Sequence, residues 1–204
     1  MPSIYGLKPK FQSLLRPLSN GLARAGVTAN MVTIGAVLLS FATGWAILHF
    51  LNLRVLLLLP AVLLLRMALN AIDGMLAREH NQKSPLGAIL NELGDVFSDA
   101  AIYLPLAALP PFGATPMVLI VLLAVISEMT GVVAVQIGAS RRYDGPMGKS
   151  DRAFIFGILG LLLGLGLPIF RVVLPVQWIV LALLLVTIAN RARGALREIR
   201  GRTS

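Results

Sequence analysis

The 204-residue chain contains no cysteine, which excludes disulfides, zinc–thiolate centres and cysteine nucleophiles. It has only two histidines, His49 and His80, and only nine Asp and Glu. Charged residues make up 13% of the chain against 57% hydrophobic, whereas a soluble domain carries about 25% charged residues. An ordinary soluble globule is excluded on that ground, and a disordered chain more firmly still. Nothing at the N-terminus reads as a cleavable signal, because Lys8, Lys10 and Arg16 interrupt a mixed segment and the first long apolar run begins near Met31. Internal repeats, low-complexity tracts and long linkers are also lacking, so a single domain over residues 1–204 is expected.

What the chain does have is apolar length and positive charge. Its mean hydropathy is +0.83, and its formal net charge is +9. A basic balance suits nucleic acid or an anionic membrane surface, and the hydropathy selects the membrane and leaves no nucleic-acid partner. A spanning helix needs roughly 20 mainly apolar residues, at ~1.5 Å each across ~30 Å of hydrocarbon. Six stretches meet that need, near 31–51, 55–77, 85–110, 116–138, 153–170 and 172–190. An all-α polytopic membrane protein follows, with the fifth and sixth spans in a tight helical hairpin.

Residues 1–30 read as an interfacial amphipathic segment, since Leu7, Phe11, Leu14, Leu15, Leu18 and Leu22 recur at helical intervals between Tyr5 and Ala25. Residues 191–204 read as a basic cytoplasmic tail. With an even number of spans both termini share a side, and that side receives every Lys and Arg except Arg54, Arg66 and Arg171. The positive-inside rule then makes both termini cytoplasmic, in an integral, multi-pass protein of a bacterial inner membrane.

Charge inside a span costs about 2.5–3.5 kcal/mol per residue on insertion scales and marks function by default. Here Asp73, Glu79, Glu92, Asp95 and Asp99 fall close together, while Glu128 is the only acid in any other span. On the second span, Arg66, Asn70, Asp73 and Ala77 share one helical face; on the third, Gly87, Asn91, Asp95 and Asp99 do the same. Two converging rows of oxygen donors suit a hard divalent cation, Mg²⁺ or Mn²⁺. Arg66 taken alone reads as a partner of Asp73 or of a neighbouring carbonyl. Gly74 and Gly87 beside these carboxylates suggest a pocket wall that a ligand approaches closely. Arg78, at the water interface, either grips phosphate or snorkels at the boundary. The basic loop from Arg141 to Arg152 is a second candidate site, for an acceptor's phosphate or for lipid headgroups, or an ordinary positive-inside loop. Glu128 either faces the cavity or pairs with Arg66.

The segment from Asn70 to Asp95 resembles the signature of the CDP-alcohol phosphotransferase (CDP-alcohol phosphatidyltransferase) family, D-x-x-D-G-x-x-A-R, eight residues, then G-x-x-x-D-x-x-x-D. Asp73-Gly74, Ala77-Arg78, Gly87 and Asp95 match it in spacing, and Asn70 and Asn91 stand at the first and third aspartate positions. The entry to the first span, Ala29-Asn30-Met31-Val32-Thr33, is also similar to the family. The resemblance implies transfer of a substituted phosphoryl group from a CDP-alcohol, often CDP-diacylglycerol, to an acceptor alcohol with release of CMP, in phospholipid biosynthesis. It implies four aspartate positions holding two divalent cations, with the last aspartate, here Asp95, as general base. Asn70, Asp73, Asn91 and Asp95, with Asp99 one turn further on, are the expected metal ligands. Because asparagine brings an oxygen but no charge, either one cation binds firmly or Glu92 or Asp99 joins the set. Gly74, Arg78 and Gly87 are expected to contact the nucleotide, and a homodimer is implied as well. The competing readings are a nucleotide- or lipid-binding membrane protein with little catalysis, and an ion or solute carrier, for which no half-to-half repeat is present.

Overall fold

The computed structural model describes residues 8–203. Its helices are α1 (Lys8–Arg24), α2 (Ala29–Phe50), α3 (Leu58–Glu79), α4 (Pro85–Tyr103), α5 (Ala114–Gln136), α6 (Lys149–Gly164) and α7 (Phe170–Thr203). Short 3-10 turns at Leu53–Leu57 and Leu104–Ala108 precede α3 and follow α4, and no strand occurs among the described residues. Four stretches are long and apolar enough to cross a membrane: α2, α3 with its leading turn, α5, and α7 as far as Arg202. Helix α4 carries Glu92, Asp95 and Asp99, and α6 is 16 residues long. Leu38, Phe41, Trp45 and Leu48 on α2, and Trp178, Ile179 and Leu185 on α7, are exposed. Apolar side chains ranged along helix exteriors suit hydrocarbon as solvent.

Local chemistry starts the helices that matter for the site. The Thr28 hydroxyl accepts from the Met31 N–H at 3.2 Å to cap α2, and the Ser84 hydroxyl accepts from Gly87 N–H at 3.0 Å to cap α4, with Pro85 at its first position. Gln82 in the α3–α4 connection accepts from the Ala29 N–H at 2.7 Å, which ties that loop to the start of α2. The expected segment Tyr5–Ala25 appears as α1 from Lys8 onward, and Tyr5, Gly6 and Leu7 lie outside the described residues. Leu15 and Leu22 turn inward against Ile72, Met75 and Leu76, while Leu14 and Leu18 face outward. A two-pronged Arg16–Glu79 ion pair fixes α1 against the end of α3, and burial on Glu79 is slight enough that its pairing stays solvent-screened.

Close crossings are made by small residues. A Cβ on Gly44 would lie 2.0 Å from the Ala101 carbonyl oxygen, so α2 and α4 touch backbone to backbone there. Gly44→Ala is therefore expected to destabilise the protein by about 1–3 kcal/mol. Thermal denaturation in detergent reads this, and an unchanged midpoint would mean that α2 can move off α4 at no cost. On α6, Gly157, Gly160 and Gly164 lie against the 3-10 turn and the first residues of α3, where a Cβ on Gly160 would meet the Leu56 carbonyl oxygen at 3.0 Å.

That small-residue face overturns the expected hairpin of the last two spans. Helix α6 packs on α3, α7 packs along α5, and α6 and α7 barely touch. Gln177 fixes one end of the α5–α7 register through the Gly113 backbone, its Oε1 accepting from the N–H at 2.9 Å. Arg191 fixes the other by donating to the Ser127 carbonyl at 2.6 Å. Residues 191–203 of the expected basic cytoplasmic tail continue α7 without a break, and Arg191 is buried. Its burial between helices, rather than the sign of its charge, decides its place.

Candidate active site

Asn70 and Asp73 project from α3, and Asn91 and Asp95 from α4, into a cavity of about 510 Å³ whose lining also includes Gly74, Arg78 and Gly87. The two rows meet directly, since the Asn70 Nδ2 donates to Asp95 Oδ1 at 3.0 Å. Asp73 is 4% exposed, and its Oδ2 accepts from the Thr33 hydroxyl at 2.9 Å. Thr33 was visible in the sequence only as part of the entry to the first span. Its reach across to α3 depends on the α2–α3 packing.

Arg78 folds back along its own helix, and a Cβ on Gly74 would sit 3.0 Å from its Nη2. Gly74 therefore keeps open the strip of α3 over which the guanidinium lies. A Cβ on Gly87 would meet Asn30 Oδ1 at 2.9 Å, so this glycine admits the start of α2 to the cavity rim.

The far wall comes from the loop before α6. Met147 N–H donates to the Thr187 hydroxyl at 3.0 Å, and Arg142 donates to Asp144 and Glu198, which pins the loop to α7. Gly145 runs at φ +123, and a side chain there would also strike Thr187. Asp151 Oδ2 accepts from the Gly148 N–H at 2.9 Å and so fixes the first turn of α6. Lys149 emerges from that turn, and its Nζ reaches Asp95 Oδ2 at 2.5 Å. Arg141 bonds Glu92 at 2.6 Å and lies 3.3 Å from Glu128, with its guanidinium 4.3 Å above the Tyr143 ring. Burial works against the Arg141 charge, but the hydrogen bond to Glu92 and the neighbouring negative groups outweigh it and raise its pKa above the ordinary arginine value.

Two assignments change. Asp99, expected among the metal ligands, does not line the cavity. One turn beyond Asp95, it enters packed interior, where Arg66 Nη1 takes Oδ1 at 2.5 Å and Arg152 Nη2 takes Oδ2 at 2.6 Å. Arg66 accordingly pairs with Asp99 rather than Asp73, and its Nη2 donates to the Asp95 carbonyl at 3.1 Å. Glu128 lines the cavity and is held by Arg141 and Arg191 instead of Arg66. Arg152, expected at the end of the basic loop as a contact for phosphate or headgroups, is instead fully buried against Asp99.

The donor set is purely oxygen, from two carboxylates and two carboxamides, which fits a hard divalent cation. Among the described residues no three Asp, Glu or His come together as a metal-holding group.

The scaffold is all-helical among the described residues, with apolar exteriors and one oxygen-lined, partly basic cavity. Residues 26–190 match the CDP-alcohol phosphatidyltransferase family, and the chain belongs to that family. It is thus a CDP-alcohol phosphotransferase of phospholipid biosynthesis, and membership does not favour the reading without catalysis. The chain is 46% identical over 195 residues to the inner membrane protein YnbA of Escherichia coli (strain K12), covering 95% of this chain and 96% of that one. The fold is also that of phosphatidylinositol phosphate synthase PgsA1 of Mycobacterium tuberculosis. In complex with manganese and citrate, that enzyme superposes with a TM-score of 0.73 at 20% identity over 88% of each chain. With CDP-DAG bound it does so at 0.72 and 21% identity, over 88% of this chain and 92% of that one.

Proposed function

We propose that this enzyme takes CDP-diacylglycerol as donor and transfers its phosphatidyl group to a small, phosphate-bearing alcohol at a cytoplasmic-facing site. The observation that carries the reading is the convergence of Asp73 and Asp95, from facing helices, on one cavity beside Gly74 and Arg78. Asp73, with the carboxamide oxygens of Asn70 and Asn91, would hold Mg²⁺ or Mn²⁺, which would supply charge neutralisation to the donor diphosphate and the departing CMP. Arg78 supplies a second contact to phosphate. Asp95 accepts the proton of the acceptor hydroxyl as that oxygen forms its bond to the diacylglycerol-linked phosphorus. The P–O bond to CMP breaks, and CMP leaves with the bridging oxygen. Asn70 and Lys149 hold the Asp95 carboxylate in place for that role.

Six spans and an interfacial α1 suit this chemistry. A lipid donor keeps its acyl chains in hydrocarbon while its headgroup enters the cavity. Gln12 of α1, Lys83 of the α3–α4 connection, Lys149 of the loop and Arg191 of α7 all line that cavity, so the basic segments gather at one end of the bundle. Both termini then lie on the cytoplasmic side. Arg141 and Arg191 at the cavity favour an acceptor that carries its own anionic group.

The test is CMP release by the purified protein in liposomes, with CDP-diacylglycerol, Mg²⁺ or Mn²⁺, and glycerol 3-phosphate, inositol phosphate, inositol, serine or glycerol as acceptor. Metal-dependent release with a phosphate-bearing acceptor is expected. Release only with an uncharged acceptor would overturn the acceptor assignment, and no release with any member of the panel would overturn the donor.

A further inference from the structure

The charges around the cavity form a nearly closed account before any metal enters. Arg78, Lys83, Arg141, Lys149 and Arg191 line it with positive charge. Asp73, Glu92, Asp95, Glu128 and Asp151 line it with an equal number of carboxylates. Directly behind them the sealed group Arg66, Asp99 and Arg152 adds one net positive charge. A CDP-linked diphosphate carries two negative charges, which a single divalent cation matches. With the donor alone bound, a second would leave two further positive charges uncompensated in a low-dielectric site.

The two site carboxylates are also unlike each other. Both oxygens of Asp95 are occupied from within the chain, Oδ1 by the Asn70 amide at 3.0 Å and Oδ2 by the Lys149 ammonium at 2.5 Å. Asp73 is buried at the cavity wall, and among the described residues its only side-chain hydrogen-bond partner is the neutral Thr33 hydroxyl. A buried carboxylate without a cation is costly, and here it opens onto the cavity. An aspartate in place of Asn70 would set two carboxylates against each other and call for a cation between them. The asparagine removes that need by donating a proton instead.

We infer that the site works with one divalent cation anchored on Asp73, and that the Lys149 ammonium is a built-in second positive charge holding Asp95 in position. This rests on the metal-dependent reading above, and it replaces the two cations that the family resemblance implies. Lys149 is a positioning residue here, placed by the Gly148–Asp151 turn that starts α6.

The experiment counts Mn²⁺ bound per full-length chain in detergent by electron paramagnetic resonance, alongside CMP release. The wild-type protein is expected to bind one Mn²⁺. Lys149→Met is expected to tighten that site by about tenfold, as a nearby like charge is removed, and to admit a second Mn²⁺ on Asp95. Asn70→Asp, made separately in case Lys149→Met misfolds, is likewise expected to gain a second ion. Two ions of similar affinity on the wild-type chain, with CMP released, would overturn the single-cation inference alone. So would two folded variants that both still bind one. No Mn²⁺ on the wild-type chain would instead overturn the metal-dependent reading on which the inference rests.

Discussion

Asp73→Asn is expected to lower CMP release by about a thousandfold while raising thermal stability. The two effects have the same origin. The Asp73 carboxylate is 4% exposed and hydrogen-bonded by a neutral hydroxyl, so without a cation its ionised form is held at a net cost. A carboxamide keeps a hydrogen bond with Thr33 and removes the charge, and the folded protein gains. The donor diphosphate then loses the charged anchor of its cation, and losses of about 10²–10³ in rate follow from deleting one preorganised electrostatic contact of this kind. Two thermal scans separate the contributions. In the absence of metal the variant melts above the wild-type protein. Added Mn²⁺ raises the wild-type midpoint by selective binding to the folded state and leaves the variant unmoved. A variant that melts lower, or retains activity, would show that Asp73 serves the fold instead of the reaction.

Asp99→Ala is expected to have the largest effect on stability, about 3–5 kcal/mol. Each oxygen of Asp99 faces a separate buried guanidinium, Arg66 at 3% exposure and Arg152 at 0%. Removing the carboxylate leaves neutral carbonyls of Asp95 and Met147 as hydrogen-bond partners, with the next carboxylates at 3.9 Å from Arg66 (Asp95) and 3.8 Å from Arg152 (Glu128), too long for hydrogen bonds. Two cations would then lie in packed interior with poor compensation. The fraction of monodisperse protein after heating in detergent measures the loss. Pairing Asp99→Ala with Arg152→Met removes one stranded charge together with its partner, and is expected to recover part of it. If the double variant is no more stable than the single one, the coupling between these residues is not electrostatic.

Comparison of α3 with α4 shows what was legible along the chain. The intervals between Asn70 and Asp73, and between Asn91 and Asp95, place each pair on one helical face. The Ser84–Pro85 start of α4 after a short connection makes the two faces neighbours. Spacing and capping are local properties, so Asn70, Asp73, Asn91 and Asp95 were readable as one site from sequence, and they line one cavity. Asp99 obeys the same spacing and still leaves the site. Periodicity specifies a face, whereas the depth at which a cavity ends depends on what packs behind it. Here that is Arg152 from α6, more than fifty residues away.

The membrane character, the all-helical class, the signature and the oxygen-only donor set were determined by sequence alone, because each follows from composition or from contacts within about a turn of helix. Tertiary structure alone decided which cation meets which carboxylate. Lys149 on Asp95, Arg66 and Arg152 on Asp99, and Arg141 and Arg191 on Glu128 all join separate elements. It also separated α6 from α7, since a glycine face on α6 fits α3 more closely than it fits its neighbour in sequence. Charge attracts charge at any spacing, so the partners of a buried ion are chosen by where packing brings the helices, and no local pattern encodes that choice.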